Sequence, residues 1–456
     1  MHIITNLSLA LLLAIIPTSA LLGQVVENEG DYFARTIESG RVLDAPQWAD
    51  KRKVNIAYLS DARESLWAMW LRAAARVDNV HLPGDNPLSQ AVSGRLRLPD
   101  SLEHSAIMPF YWGHKGDICL DKGSVSLPTF VYLHGSGPKD TEWAASLQWA
   151  QVFADAPSRY FIPQIPQEGA YYRWWQQSKQ WAWRWLWRQL MQQPSLDPDR
   201  VYLFGISEGG YGSQRLSAYY ADYLAAAGPM AGGEPLINAP AENLEHIGFS
   251  LLTGAKDLTF CRNRFTEITG EALDSLEKQH SGSYAHKVSL IEGRGHGIDY
   301  RPMTPWLLQF RRNHHPRHFT WEDFELDGCH RQGFYNLRIM NRPADSLRTK
   351  YEVSIDKAGL VDIKVSSVRY IEAEKDSVWN LTLRWKKQFL QPTAHGTLML
   401  YLDEDLVDLG KPVVIRLNGN VVYRGKPHLS YRHMLESLAA FSDPRRIYPV
   451  GIKLEY

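Results

Sequence analysis

The pattern of apolar and polar positions changes period once along this chain. From about residue 125 to 310, short apolar runs alternate with longer stretches of helical spacing. Residues 129–133, 160–163, 201–204, 225–230, 249–253 and 287–291 each read as a buried strand. Between the second and third runs, Trp181 with Trp185 and Trp183 with Trp187 form i,i+4 pairs, which predicts a helix buried on two adjacent faces. Residues 211–227 predict a further helix. Strands alternating with helices imply an α/β fold, a mostly parallel sheet flanked by helices. Upstream, Asp61 and Glu64 predict a capping-box helix start. Leu66, Met69, Trp70, Ala73, Ala74 and Val77 then follow at helical spacing, with short strands expected at 96–98 and 106–111. Beyond Pro316 the period becomes two. Val361, Ile363 and Val365 alternate with polar residues, as do Trp379, Leu381, Leu383 and Trp385. Residues 413–417 and 420–423 flank Asn418-Gly419, a type I′ hairpin signal. This second region predicts a smaller all-β, sandwich-like domain with a core of its own.

Four segments follow: a signal peptide at 1–23, an N-terminal extension at 24–124 packing on the core, a catalytic domain at 125–315 and the β-domain at 316–456. The signal reading rests on the apolar run 7–16, too short to span a bilayer, and on the small residues Thr18-Ser19-Ala20 at the cleavage position. It predicts export to the periplasm or the extracellular space. Beyond it no stretch is long and apolar enough to cross a membrane.

Composition adds little. Fifty basic and fifty acidic residues balance, so charge gives no case for nucleic acid. Cys119, Cys261 and Cys329 lack metal-ligand spacing. One pair could bridge in an oxidising compartment, and the sequence does not choose it. His314 and His315 are neighbours whose side chains should point apart, so no metal or other cofactor is expected.

The chemistry lies at the strand ends. Residues 201–204 run into Gly205-Ile206-Ser207-Glu208-Gly209, a G-x-S-x-G pattern in which small residues permit a sharp strand-to-helix turn beneath an exposed serine. The run 129–133 ends in His134-Gly135-Ser136-Gly137-Pro138, and backbone N–H groups there and at Glu208 would form an oxyanion hole. The run 249–253 leads to Asp257 and the run 287–291 to Gly295-His296-Gly297. A serine hydroxyl needs a base in contact, and the base needs an anion that fixes its tautomer. Ser207, His296 and Asp257 supply these roles in the order Ser, Asp, His, with Asp299 as the rival acid. The Glu208 side chain is expected to be structural. Arg173, Trp174 and Trp175, ahead of the tryptophan-rich helix, are candidates for a substrate platform, with His134 beside them.

On these motifs, together with Asp199-Arg200-Val201-Tyr202-Leu203-Phe204 and Gly228-Pro229-Met230-Ala231-Gly232-Gly233, residues 125–310 resemble the α/β-hydrolase superfamily. The branch they look most like holds secreted esterases related to polyhydroxybutyrate depolymerases, feruloyl and acetyl esterases and dienelactone hydrolases. The whole chain also looks like exported bacterial esterases with an appended β-module. The resemblance implies a serine esterase acting through an acyl-enzyme on a small or polymeric acyl ester, with acyl groups on glycans as one substrate class. Dienelactone hydrolases carry a cysteine nucleophile, which this chain lacks. Two other functions stay open on sequence: a serine exopeptidase of the same fold, and a carbohydrate-binding protein with a residual hydrolase domain.

Overall fold

In a computed structural model the chain is described at residues 28–84, 86–117, 126–193, 196–345 and 347–456. The expected signal segment and Cys119 lie outside the described residues. Three helices open the described chain: α1 (Glu29–Ser39), α2 (Trp48–Lys51) and α3 (Leu59–Val77). Helix α3 starts two residues before Asp61, and its N-terminus makes no side-chain capping bond, so the expected capping box is not formed.

Eight strands build the main sheet: β1 (Gly94–Arg97), β2 (Ile107–Lys115), β3 (Leu127–Leu133), β4 (Ser158–Pro163), β5 (Leu196–Ile206), β6 (Ala226–Met230), β7 (Gly248–Gly254) and β8 (His286–Ile291). Their order is β1-β2-β4-β3-β5-β6-β7-β8. Strand β2 is antiparallel to both its neighbours, and β3 to β8 run parallel. The connecting helices are α4 (Lys139–Val152), α5 (Gln177–Met191), α6 (Glu208–Tyr220), α7 (Arg262–Gln279) and α8 (Met303–Leu307). This is the α/β-hydrolase fold. Helices cover both faces of its sheet, which is why its central strands read as unbroken apolar runs. In β5, Val201 and Leu203 enter one buried cluster and Tyr202 and Phe204 the other.

The C-terminal region is β-rich: β9 (His318–Asp323), β10 (Gly333–Phe334), β11 (Leu337–Asn341), β12 (Arg348–Ile355), β13 (Leu360–Lys375), β14 (Thr382–Leu390), β15 (Thr397–Leu402), β16 (Val413–Leu417), β17 (Asn420–Gly425) and β18 (Val450–Glu455). They form one sheet in the order β10-β11-β15-β18 and a second in the order β17-β16-β13-β12-β9, with β14 paired to β13. Asn418 and Gly419 both have positive φ, 49° and 83°, as a type I′ turn demands. The region is not all-β. Helix α9 (Tyr431–Phe441) is inserted before the last strand, with Met434, Leu435, Leu438 and Phe441 buried.

Packing does not pause at residue 316. One buried cluster runs from Trp70 of α3 through Leu203 and Phe249 of the main sheet to Trp321, Leu400 and Leu438. Buried ions cross the same boundary. Arg446, wholly enclosed, donates to Asp222 (2.6 Å) and Asp443 (3.0 Å), and Asp443 also takes Arg312 (2.8 Å). Helix α9 reaches back to the first helices, where Arg432 pairs with Asp50 and the Tyr431 hydroxyl donates to Glu29 (3.0 Å).

Candidate active site

Ser207 stands between the end of β5 and the start of α6, with φ 57° and ψ −112°, a conformation that non-glycine residues rarely adopt. The glycines around it are steric necessities. A Cβ on Gly205 would stand 2.2 Å from the Gly209 carbonyl oxygen, and one on Gly209 would stand 2.0 Å from that of Leu133. The backbone N–H of Ser207 donates to Met230 (2.9 Å), which ties the turn to β6.

His296 lies on the loop after β8 with its side chain 46% exposed. Its Nε2 is 3.0 Å from Ser207 Oγ, and its Nδ1 is 2.6 Å from Asp257 Oδ2. Asp257, buried after β7, can only accept, so Nδ1 carries the proton and Nε2 is free to accept from the serine. The structure thus brings Ser207, His296 and Asp257 into one hydrogen-bonded line. Asp299 is outside it, exposed and held by Arg301 at 2.8 and 2.9 Å, which keeps its carboxyl below the usual range.

Glu208 opens α6. Its N–H is among the first four of the helix, which have no acceptor within it. Its side chain turns inward: one carboxylate oxygen lies 3.4 Å from Arg173, and the other is buried with no hydrogen-bond partner. Burial pushes this carboxyl up to about 7. Ser136 is exposed at the tip of the loop after β3, and that loop passes close to the serine. A Cβ on Gly135 would stand 3.4 Å from Ser207 Cβ.

Two candidates for substrate contact are corrected. His134 is 1% exposed. Its Nε2 accepts from the Ile165 N–H (3.0 Å) and its Nδ1 donates to the Gly135 carbonyl (2.7 Å), so both ring nitrogens are committed, and burial pulls its pKa down to about 4. Trp174 is wholly buried and donates from Nε1 to the His134 carbonyl (3.1 Å). With Tyr172, whose hydroxyl donates to the Gly135 carbonyl (2.8 Å), it clamps the 134–138 loop from behind. Trp175 is partly covered by the Arg215 guanidinium, 3.9 Å from its ring centre. Of the four, Arg173 is the one left well exposed beside the serine turn, with its side chain 47% accessible.

Three residues of the site have no signal in the sequence pattern. Arg262, the first residue of α7, donates to Asp257 Oδ1 at 3.0 Å, so the acid is held from both sides. Glu142 on α4 fills the space left by Gly137, where a Cβ would meet its Oε1 at 2.5 Å, and burial raises its carboxyl. Tyr172 is the third. Near Arg262, Phe260 and Trp379 remain 48% and 41% exposed with ring centres 4.7 Å apart. Trp379 sits on the turn between β13 and β14. That turn is fixed by Asp376, which accepts from the Val378 and Trp379 N–H groups at 2.9 and 2.6 Å. The two cysteines within the described residues, Cys261 and Cys329, are free thiols.

No protein-family model matches the chain, and no curated protein sequence matches it. Solved structures do. One is a thermostable esterase, similar at 20% identity over 48% of this chain, with a TM-score of 0.38. The chain spans 62% of that esterase's length. A ferulic acid esterase from the anaerobic fungus Anaeromyces mucronatus is similar at 11% identity over 51% of this chain and 94% of its own, with a TM-score of 0.34. A poly(3-hydroxybutyrate) depolymerase from Bordetella parapertussis is similar at 16% identity over 44% of this chain and 84% of its own, with a TM-score of 0.32.

Proposed function

We propose that the chain is a serine hydrolase of carboxylic esters in which Ser207 is the nucleophile, His296 the general base and acid, and Asp257 the anion behind it. The supporting observation is the unbroken line from Ser207 Oγ through His296 to Asp257, set on a strained turn at the head of a helix. In this reading His296 Nε2 takes the Oγ proton as Oγ adds to the ester carbonyl. The oxyanion that forms is met by the N–H of Glu208 and by that of Ser136. Collapse breaks the carbon–oxygen bond, the alcohol leaves with the proton from His296, and water then attacks the acyl-enzyme by the same route reversed.

The half-exposed histidine leaves the serine open to large alcohols. The exposed Phe260 and Trp379 rings beside the acid loop, tilted by 54° to each other, add apolar faces of the kind a sugar ring can lie against. We therefore infer that the substrate is an acyl group carried on a glycan, and that the protein works outside the cytoplasm, the reading that the apolar segment 7–16 supports.

The test is a panel of p-nitrophenyl acyl esters, acylated oligosaccharides and aminoacyl-p-nitroanilides, run on the full chain and on Ser207→Ala. Ester turnover lost in the variant supports the reading. Turnover of the anilides alone makes the protein a peptidase, and silence on every substrate removes the enzymatic reading.

A further inference from the structure

One cavity of the described chain lies well away from the serine. It has a volume of about 600 Å³ and lies between the end of α1, helices α5 and α6, the segment 329–333 leading into β10, strand β11 and the end of α9. The α6 residues that line it, Tyr219 and Tyr220, are at the far end of that helix from Ser207, roughly 20 Å away along its axis.

Five arginines line this space, Arg41, Arg184, Arg188, Arg331 and Arg338, against a single carboxylate, Asp44. Three of the five are neutralised from behind: Arg188 by Asp78 (2.7 Å), Arg331 by Asp222 (2.9 Å) and Arg338 by Glu436 (3.4 Å). Arg41 and Arg184 meet no carboxylate or carbonyl among the described residues. Arg41 is exposed at the rim, whereas Arg184 is half-buried in the wall. One helical turn along, Trp187 is 6% exposed, and its Nε1–H is enclosed without an acceptor. A buried donor left unpaired costs free energy, and a cation half out of water without a counter-ion costs more. The second cost falls when an oxyanion occupies the cavity.

We propose that this cavity binds a small organic carboxylate, at a site separate from the serine centre and independent of the esterase reading. The free donors are two planar guanidiniums, Arg184 in the wall and Arg41 at the rim. Each planar fork matches the two oxygens of a carboxylate. The volume exceeds that of a bare ion, since a water takes about 30 Å³, so the ligand carries a body of ring size.

The experiment is calorimetric titration of the full chain with benzoate, glucuronate, inorganic phosphate and, as a neutral control, benzyl alcohol. It is repeated on Arg184→Gln, Trp187→Phe and Ser207→Ala, each checked for native circular dichroism. We expect saturable binding of one carboxylate per chain. It should weaken about tenfold in Arg184→Gln and be little changed in Trp187→Phe, whose indole N–H is enclosed behind the wall. Binding should be unchanged in Ser207→Ala. No saturable binding of either carboxylate overturns the proposal, as does undiminished affinity in a folded Arg184→Gln chain. Loss of binding in Ser207→Ala would place the ligand at the serine instead. Phosphate binding tighter than both carboxylates would overturn the ligand class.

Discussion

Glu208 separates two roles between its backbone and its side chain. In the proposed mechanism the N–H meets the oxyanion, while the carboxyl lies buried and is pushed up from an ordinary 4.5 to about 7. A raised carboxyl binds its proton more tightly in the folded chain than in the unfolded one. Its stabilising contribution is therefore complete below about pH 4.5 and is lost as pH rises to 7. Glu208→Gln, permanently neutral, should melt with the parent at pH 5 and above it at pH 8. At about 1.4 kcal/mol per unit the gain is at most about 3 kcal/mol, and ester turnover should persist because the N–H remains. Thermal melts across that range check this, and a variant destabilised at pH 8 would contradict it. Ser207→Ala removes one exposed hydroxyl, so it should fold normally and lose about 10⁴–10⁶ in kcat, with fluorophosphonate labelling abolished. Arg262→Gln leaves Asp257 held from one side. Loss of a charge-assisted bond predicts kcat lower by about tenfold with KM little changed, partly restored in Arg262→Lys, and steady-state kinetics would show it.

At the scale of elements, the strand ends were readable because a buried parallel strand is an apolar run and a strand-to-helix turn needs glycines at fixed offsets. Gly209 shows how tight that requirement is. A methyl group there would meet the Leu133 carbonyl at 2.0 Å, so Gly209→Ala should cost more than about 3 kcal/mol or prevent folding, measurable by denaturant unfolding. What the pattern did not reveal depends on contacts between segments distant in sequence. Residues 173–175 read as a platform because tryptophan before a helix carries no mark of which way it faces. In the fold, Trp174 is the back wall of the 134–138 loop. Arg262 reads as an ordinary first-turn residue until α7 is set beside the acid loop. The β13–β14 hairpin explains why α7 stays there. Leu383 packs with Cys261, Phe265 and Ile268, and Arg384 pairs with Glu271 at 2.7 Å.

At the scale of the whole molecule, the change of period near residue 316 marks a change of architecture without a break in packing. The pattern registers which face of a strand is apolar, and it carries no record of what that face meets. Phe319, Trp321 and Phe334 suit a self-contained sandwich equally well, yet they share one cluster with Trp70 and Phe249. A chain ending at Arg312 would leave that surface in water. It would also leave Asp222 enclosed without Arg331 or Arg446, and an unpaired buried charge costs about 3–5 kcal/mol. The truncated chain is expected to be insoluble or unfolded by circular dichroism and gel filtration. A soluble, cooperative truncation would show that the core divides after all.

The salt bridge between Arg446 and Asp222 joins positions 224 residues apart, and α9 closes on helices that left the ribosome nearly four hundred residues earlier. Contacts of such separation make folding slow and expose its intermediates to aggregation. The nascent protein must carry its serine turn, its acid and its histidine in an unfinished core until the last strand has been made. Synthesis of this chain therefore depends on whatever shields apolar surface during that wait, and lowering the rate or temperature of expression should raise the yield of soluble protein more than any change at the serine.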